Sequence, residues 1–167
     1  MKEQETREQK LKSEVESLKK SIKDLHVMHT QQKIALLNAF KKKYGSEVFQ
    51  VVDQANGLAI REMYQNKNNG VDERSIEDLI NMVWEPLRNQ GLEFTMERMA
   101  NSVQMKCTKC PVADLYKQAG GTEWGYHLYC AADKHIAEAF NPQIGFRRTK
   151  TLMEGHDCCD HFYYLKE

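Results

Sequence analysis

The sequence predicts an α+β fold in which N-terminal helices precede a small antiparallel sheet of about four strands, interrupted by two helices. Apolar residues recur with helical spacing as far as Gly91. From Leu92 onward they alternate with polar residues, which is typical of strands. The length of 167 residues fits one domain with an appended segment.

Residues 1–33 are predicted to form a helical extension of a domain that spans residues 34–167. The first 43 residues contain neither Gly nor Pro, and apolar side chains recur at alternating spacings of four and three, which is the seam of a coiled coil. His29 and Gln32 interrupt the seam, so it covers about two heptads. Two interpretations stay open: a helix that forms a homodimer, and a long amphipathic helix that lies on its own domain. The seam residues are Leu11, Val15, Leu18, Ile22 and Leu25.

Helix boundaries follow from capping residues. Gly45 is predicted to end the first helix and Ser46 to cap the second. The second helix is expected to end in a polar turn around Gly70. Ser75 is predicted to cap a third helix, whose inner face includes Trp84 as a packing residue.

The second half of the chain is predicted to contain a hairpin, two helices and two further strands. Proline suits the first position of a helix because it lacks the N–H group that would stay unpaired there, so Cys110 before Pro111 is the predicted N-cap. The predicted segments are a hairpin over residues 92–107, helices from residue 111 and over 123–140, and strands over 144–153 and 158–165.

Composition excludes several classes of partner. The formal net charge is zero, so the chain has no basic footprint for nucleic acid or an anionic membrane. No segment approaches the roughly 20 apolar residues of a membrane span. The predicted location is therefore cytoplasmic, where an odd count of five cysteines favours free thiols or metal ligands over disulfides.

Cys107 and Cys110 form a CxxC motif, which fits a metal half-site, a redox pair or two unrelated cysteines. A thioredoxin-type redox pair would need a βαβ context, whereas this motif follows a hairpin. Cys110 has a more specific argument, because unpaired N–H groups at a helix start and the charge of Lys109 are expected to lower its pKa. The alternative for Cys110 is a small buried apolar residue.

Side chains on a strand point alternately to its two faces, which predicts the face that each residue of the last strand occupies. Cys159 and His161 are predicted on one face of the strand, and Cys158 and Asp160 on the other. The first pair suits a thiol with its base, or two ligands of a metal ion.

Cys130 and Asp133 are spaced to share a helix face. No cofactor is expected, because the chain lacks a second CxxC or an HxxxH motif that would complete a standard zinc signature. Zinc held by three or four residues of the cysteine cluster is the alternative. The candidates for such a site are Cys107, Cys110, Cys130, Cys159 and His161.

Three runs closely resemble the L-2-amino-thiazoline-4-carboxylic acid hydrolase family: CPVADLYKQAG, LYCAADKHIAEAFNPQIGFRRTKTLMEG and CCDHFYY. The resemblance covers roughly residues 34–165. Cys107, His156 and Cys158 depart from the family pattern, which favours the other three cysteines as the functional ones. The matching positions are Cys110, Pro111, Cys130, Asp133, Phe140, Asn141, Pro142, Arg148, Thr149, Lys150, Thr151, Glu154, Gly155, Cys159 and Asp160.

The resemblance implies a hydrolase that acts on a C–N, amidine-type bond of a small cyclic substrate, opening a 2-amino-thiazoline ring to a carbamoyl-cysteine. Which ring bond breaks stays open. The nucleophile would be water or a thiolate such as Cys110. The implied catalytic residues are Cys110, Cys130, Asp133, Cys159, Asp160 and His161. The implied substrate-binding residues are Arg148, Lys150 and Asn141, with the first two as candidates to hold the substrate carboxylate.

The main alternative is a non-catalytic sensor that binds a small ligand or a metal through the cysteine cluster and uses its N-terminal helix to signal or dimerise. A metal-handling protein is a third interpretation. Fold analogy alone does not separate binding from catalysis.

Overall fold

The predicted α+β architecture is confirmed by a computed structural model, which describes residues 2–67 and 74–167, with side chains over 6–64 and 74–167. Long N-terminal helices precede a four-stranded antiparallel sheet with the order β1-β2-β4-β3. The strands are β1 Glu93–Met99, β2 Ser102–Lys109, β3 Ile144–Arg147 and β4 Cys159–Leu165.

The N-terminal region is a pair of helices. Helix α1 (Lys2–Tyr44) is continuous, so the predicted boundary between residues 33 and 34 lies inside it. Its first buried side chains among those described are Thr30 and Ile34. The predicted stop is confirmed: Gly45 has a φ of 75°, a conformation that favours glycine, and α2 (Glu47–Lys67) follows. The turn predicted around Gly70 lies outside the described residues.

The third helical region is three short elements in sequence. Ser75 forms the predicted cap, with a reciprocal hydrogen-bond pair to Asp78. A π-helical turn then interrupts the helix, and the N–H of Glu85 reaches the carbonyl of Ile80. Pro86 lacks an N–H group and crowds the preceding turn, which accounts for the widening. The elements are α3 (Ile76–Leu79), the π-helical turn (Ile80–Trp84) and α4 (Glu85–Arg88).

Cys110 is the N-cap of α5 (Pro111–Gln118), as predicted. The prediction of a single helix over residues 123–140 was wrong, because the helix is interrupted near Tyr129. The side-chain amide of Asn56 donates to the carbonyl of Leu128 at 2.7 Å and so satisfies a group at the end of the first segment. The observed elements are α6 (Thr122–Leu128), a 3₁₀ turn (Cys130–Ala132) and α7 (Asp133–Phe140).

The strand predicted over residues 144–153 was also wrong, because β3 ends at Arg147. The carboxylate of Asp160 accepts the backbone N–H groups of Thr149 at 2.9 Å and Lys150 at 2.5 Å, which bends this segment away from the sheet. A 3₁₀ turn (Leu152–Glu154) follows.

Strands β2 and β4 supply the centre of the core. Three residues of each strand alternate onto the same buried face, where they lie opposite one another. Within the described residues, no helix combines the length and apolar character needed to cross a membrane. The opposed pairs are Val103 with Tyr163, Met105 with His161, and Cys107 with Cys159.

Candidate active site

The candidate site lies on the buried face of β4, between the sheet and the start of α7. Cys159 and His161 both point to this face, which confirms the period-two prediction. The break before α7 places Asp133 at the first position of that helix, against His161. A single straight helix over the same residues would not create this helix start.

Asp133 is the centre of a buried polar network. Its Oδ2 atom accepts a hydrogen bond from Nε2 of His161 at 3.0 Å and a second from Nη1 of Arg148. The same Arg148 nitrogen donates to the carbonyl of Cys130 at 3.0 Å, which ties the segment just after β3 to the 3₁₀ turn. The side chains of Arg148 and His161 are each only 7% exposed, so water screens these interactions weakly.

The other ring nitrogen of His161, Nδ1, is buried and has no hydrogen-bond partner among the described residues. An ionised carboxylate only accepts hydrogen bonds, so Nε2 is protonated and donates to Asp133. Nδ1 is therefore available to interact with another group. The rings of Trp84 and Phe146 lie 4.8 and 5.7 Å from the imidazole, centroid to centroid. A buried histidine nitrogen without a protein partner calls for a ligand, a catalytic role or a bound water.

Cys159 is the cysteine with a lowered pKa among the five, all of which the structure describes and all of which are free. The interaction with the neighbouring thiol of Cys107 is the largest cause. The backbone N–H of Leu152, 3.1 Å from the sulfur, and the nearby His161 and Arg148 lower the pKa further, against the opposing effect of burial. The thiolate therefore forms more easily at Cys159 than at an ordinary cysteine.

Cys107 was predicted as a candidate zinc ligand but not as a catalytic residue, because it departs from the family pattern. The register of β2 against β4 places it directly opposite Cys159. Its interaction with the sulfur of Cys159 and its burial raise the pKa of Cys107, which keeps that thiol protonated. In this structure the Cys107 thiol donates to the carbonyl of Lys109 at 3.3 Å, so it must turn to donate to Cys159. The alternation of Val103, Met105 and Cys107 in the sequence predicted which strand face Cys107 occupies, but not that it lies opposite Cys159.

The low pKa expected at Cys110 was wrong. Burial raises the pKa of this thiol, and the N–H groups of Ala113 and Val112 only partly offset the effect. The ammonium group of Lys109 does not support the thiolate either, since it pairs with Glu93 at 2.6 Å.

Cys130 is also held as a neutral thiol. Burial is the largest cause of its raised pKa, and the adjacent carboxylate of Asp133 adds to it. Charge on Cys159 also raises the pKa of Cys110 and Cys130, which indicates that the three thiols lie near one another. Within the described residues, no group of three or more His, Cys, Asp or Glu side chains has an arrangement that would hold a metal ion.

Three other predicted site residues lie outside this network. Burial raises the pKa of Asp160, but hydrogen bonds from Thr149 and Lys150 outweigh it, so this carboxylate anchors the segment after β3. The ammonium group of Lys150 is exposed and lies 3.6 Å from Asp157. Asn141 stands at the end of α7, where its side chain donates to the carbonyl of residue 74 at 2.7 Å and accepts the N–H of residue 143 at 2.8 Å.

Comparison with solved structures gives distant likenesses. The first is a trafficking protein particle complex subunit 3 from Naegleria fowleri covalently bound to palmitic acid, at 12% identity and a TM-score of 0.48, covering 84% of this chain and 96% of the other. The second is the phenol-responsive sensory domain of the transcription activator PoxR with phenol, at 16% identity and a TM-score of 0.49, covering 82% and 74%. At these scores neither carries an argument about this chain.

No curated protein matches the chain. A family model does, and it describes L-2-amino-thiazoline-4-carboxylic acid hydrolase. The match spans residues 25–163, which is most of the chain and includes all members of the site network. The resemblance of the three sequence runs is thereby confirmed, and the chain belongs to the L-2-amino-thiazoline-4-carboxylic acid hydrolase family.

Proposed function

We propose that this protein is a hydrolase that opens a small cyclic amidine of the 2-amino-thiazoline-4-carboxylate type, with Cys159 as nucleophile and His161 as proton carrier. One observation carries the proposal: the cysteine with the lowered pKa lies on the same strand face as a histidine that a carboxylate orients. A thiol, an imidazole and an orienting acid form the general pattern of an activated nucleophile.

In the first step the thiolate of Cys159 attacks C2, the carbon between the ring sulfur and the two nitrogens. The electron pair of the C=N bond moves to the ring nitrogen, which takes a proton from Nδ1 of the His161 imidazolium. The C2–S bond then breaks and the ring sulfur leaves as a thiolate. Sulfur is the proposed leaving atom because a thiol has a lower pKa than an amine and departs more readily.

The enzyme then carries an isothiouronium group on Cys159. In the second step water attacks the same carbon, and neutral His161 takes one water proton. Collapse of the adduct expels the Cys159 thiolate, and the remaining hydroxyl proton passes to the thiolate of the product. The products are N-carbamoyl-cysteine and the starting thiolate–imidazolium pair, with one water consumed.

The neighbouring groups support this chemistry without entering the covalent steps. Arg148 holds Asp133, and Asp133 holds Nε2 of His161, so the reactive Nδ1 stays directed away from the carboxylate. Cys107 and the backbone N–H of Leu152 stabilise the thiolate. The proposed location remains cytoplasmic, where a free reactive thiol persists.

The test is turnover of L-2-amino-thiazoline-4-carboxylate by the full chain, with product followed by mass spectrometry and by a thiol-specific reagent. We expect Cys159→Ala to reduce kcat/KM by at least about 10³-fold. Cys158→Ala is the matched control, since that thiol is adjacent in sequence and contacts Asp157 instead of the network. Rapid quenching should give a protein heavier by one substrate molecule on the peptide that carries Cys159.

Retained turnover in Cys159→Ala would overturn the assignment of the nucleophile. A product without a free thiol would show that the ring C–N bond breaks instead of the C–S bond. Turnover only after addition of zinc would replace the thiolate mechanism by metal chemistry. Tight retention of the compound with no product in any preparation would favour the sensor interpretation and overturn the hydrolase proposal.

A further inference from the structure

The exposed face of α1 is the largest feature that the candidate site does not explain. Five apolar side chains along this helix are between 46% and 62% exposed, although apolar residues in such a regular stripe normally find a partner. They are Leu11, Val15, Leu18, Ile22 and Leu25, the seam of the coiled-coil pattern.

Among the described residues, this stripe meets the chain's own domain at one edge, where Ile22 lines an open cleft together with Pro111 and Leu115 of α5. The residues by which α1 packs on the domain are Thr30, Ile34 and Leu37. At 3.6 residues per turn, the centre of their stripe lies roughly 100° around the helix from the centre of the seam. The seam residues are nevertheless about half exposed or more, so another helix can pack on them while α1 remains docked.

We propose that the occupant is the same seam of a second copy, in a parallel, in-register two-stranded coiled coil. The spacings place leucine at every d position, namely Leu11, Leu18 and Leu25, and β-branched Val15 and Ile22 at the a positions. β-Branched residues at a with leucine at d favour parallel dimers over trimers and tetramers.

Charge supports the same orientation. In a parallel pair, residue g of one helix faces residue e of the next heptad on its partner, which sets Glu14 against Lys19 of the second copy. An antiparallel pair centred on this seam would instead set the two Lys19 side chains together. Within its own helix, Lys19 lies 2.7 Å from Glu16 in an exposed pair, which exchanges at little energetic cost. Arg7 and Lys12 form one repulsive pair of the same kind beside Leu11, at the N-terminal end of the seam, and this pair opposes the parallel orientation.

The geometry also explains why so short a seam suffices. An isolated helix of two to three heptads is marginal because nucleation is unfavourable. Here the helix is continuous to Tyr44 and is anchored by the buried side chains of Thr30 and Ile34. Association therefore does not have to order the helix.

The experiment measures the mass of the full chain by sedimentation equilibrium over a range of concentrations. We expect a monomer–dimer equilibrium, and Leu18→Glu should raise the dissociation constant by at least about 30-fold. Leu58→Glu is the matched control, because Leu58 is 66% exposed on α2 and lies outside the seam.

Orientation is tested by charge exchange. Glu14→Lys and Lys19→Glu should each weaken the dimer, and the double variant should restore it. A Val15→Cys variant should form a disulfide with Val15→Cys of the second copy, since an in-register parallel pair sets the two a positions together.

A monomer at all concentrations, or equal effects of Leu18→Glu and Leu58→Glu, would overturn the proposal. Failure of Val15→Cys to cross-link within an intact dimer would refute the parallel register. None of these variants touches the cysteine–histidine network, so the outcome is independent of the proposed hydrolysis.

Discussion

Replacing Arg148 by methionine is expected to destabilise the protein strongly, because it leaves the partly buried carboxylate of Asp133 without its cationic partner. Arg148 is 7% exposed, and Asp133, its partner, is 23% exposed. Methionine fills much of the volume of the arginine stem, so the change chiefly removes the charge and its hydrogen bonds. Two acceptors lose their donor: the carboxylate of Asp133 and the carbonyl of Cys130.

The magnitude follows from these two acceptors. A hydrogen bond to a charged group contributes about 1.5–3 kcal/mol, and a neutral one about 1 kcal/mol. Removing one member of a buried ion pair costs about 3–5 kcal/mol, and the residual exposure of Asp133 places the expected loss near the lower end. We therefore expect the free energy of unfolding to fall by about 3 kcal/mol in Arg148→Met.

Urea unfolding followed by tryptophan fluorescence measures this loss, because Trp84 lies 4.8 Å from His161, centroid to centroid, and reports on the network. Arg148→Lys is the control that keeps the charge but loses the planar fork of donors. The double variant Asp133→Asn/Arg148→Met should lose less unfolding free energy than the sum of the two single losses, because it no longer contains an unpaired buried carboxylate. A loss below about 1 kcal/mol in Arg148→Met, or strictly additive losses, would refute the coupled network.

Further predictions concern the thiolate, the sheet and a helix cap. The thiolate of Cys159 is lost as pH falls through its lowered pKa, so kcat/KM should fall on that acid limb. Cys107→Ala removes the largest cause of the lowered pKa and should move the limb to higher pH. An unchanged pH profile would show that Cys107 only packs. Gly145→Ala would place a Cβ atom 2.3 Å from the ring of Tyr164, so urea unfolding should show a loss of about 1–3 kcal/mol, and no loss would mean that the ring moves aside freely. Ser75→Ala removes the reciprocal cap of α3 and should lower the unfolding free energy by about 1 kcal/mol, whereas Ser75→Asp should largely preserve it.

Much of the fold could be predicted from local patterns. Gly45 and Ser75 acted as the stop and cap that their chemistry suggests. The change from helical to alternating periodicity at Leu92 marks the start of the sheet one residue later. Alternation also placed Cys159 and His161 on one face, because side chains on a strand repeat every two residues whatever surrounds them.

The site itself depended on partners that local patterns do not contain. Burial of Cys110 outweighed the N-cap effect that favoured it, and burial is a property of the packed chain. Asn56 lies 72 positions before the carbonyl that it satisfies at the end of α6, so no window around that break shows its cause. Cys107 gained its role only from the register that sets it against Cys159.

The sequence by itself therefore determined the fold class, the helix caps, the faces of the strands and the family. These depend on backbone preferences and periodicities that act within a few residues. Only the tertiary structure decided which thiol has the lowered pKa, where α7 begins, and that Asp133 joins Arg148 to His161. Those features depend on desolvation and on hydrogen bonds between distant segments, which exist only once the chain has folded and water has been excluded from the space between β4 and α7.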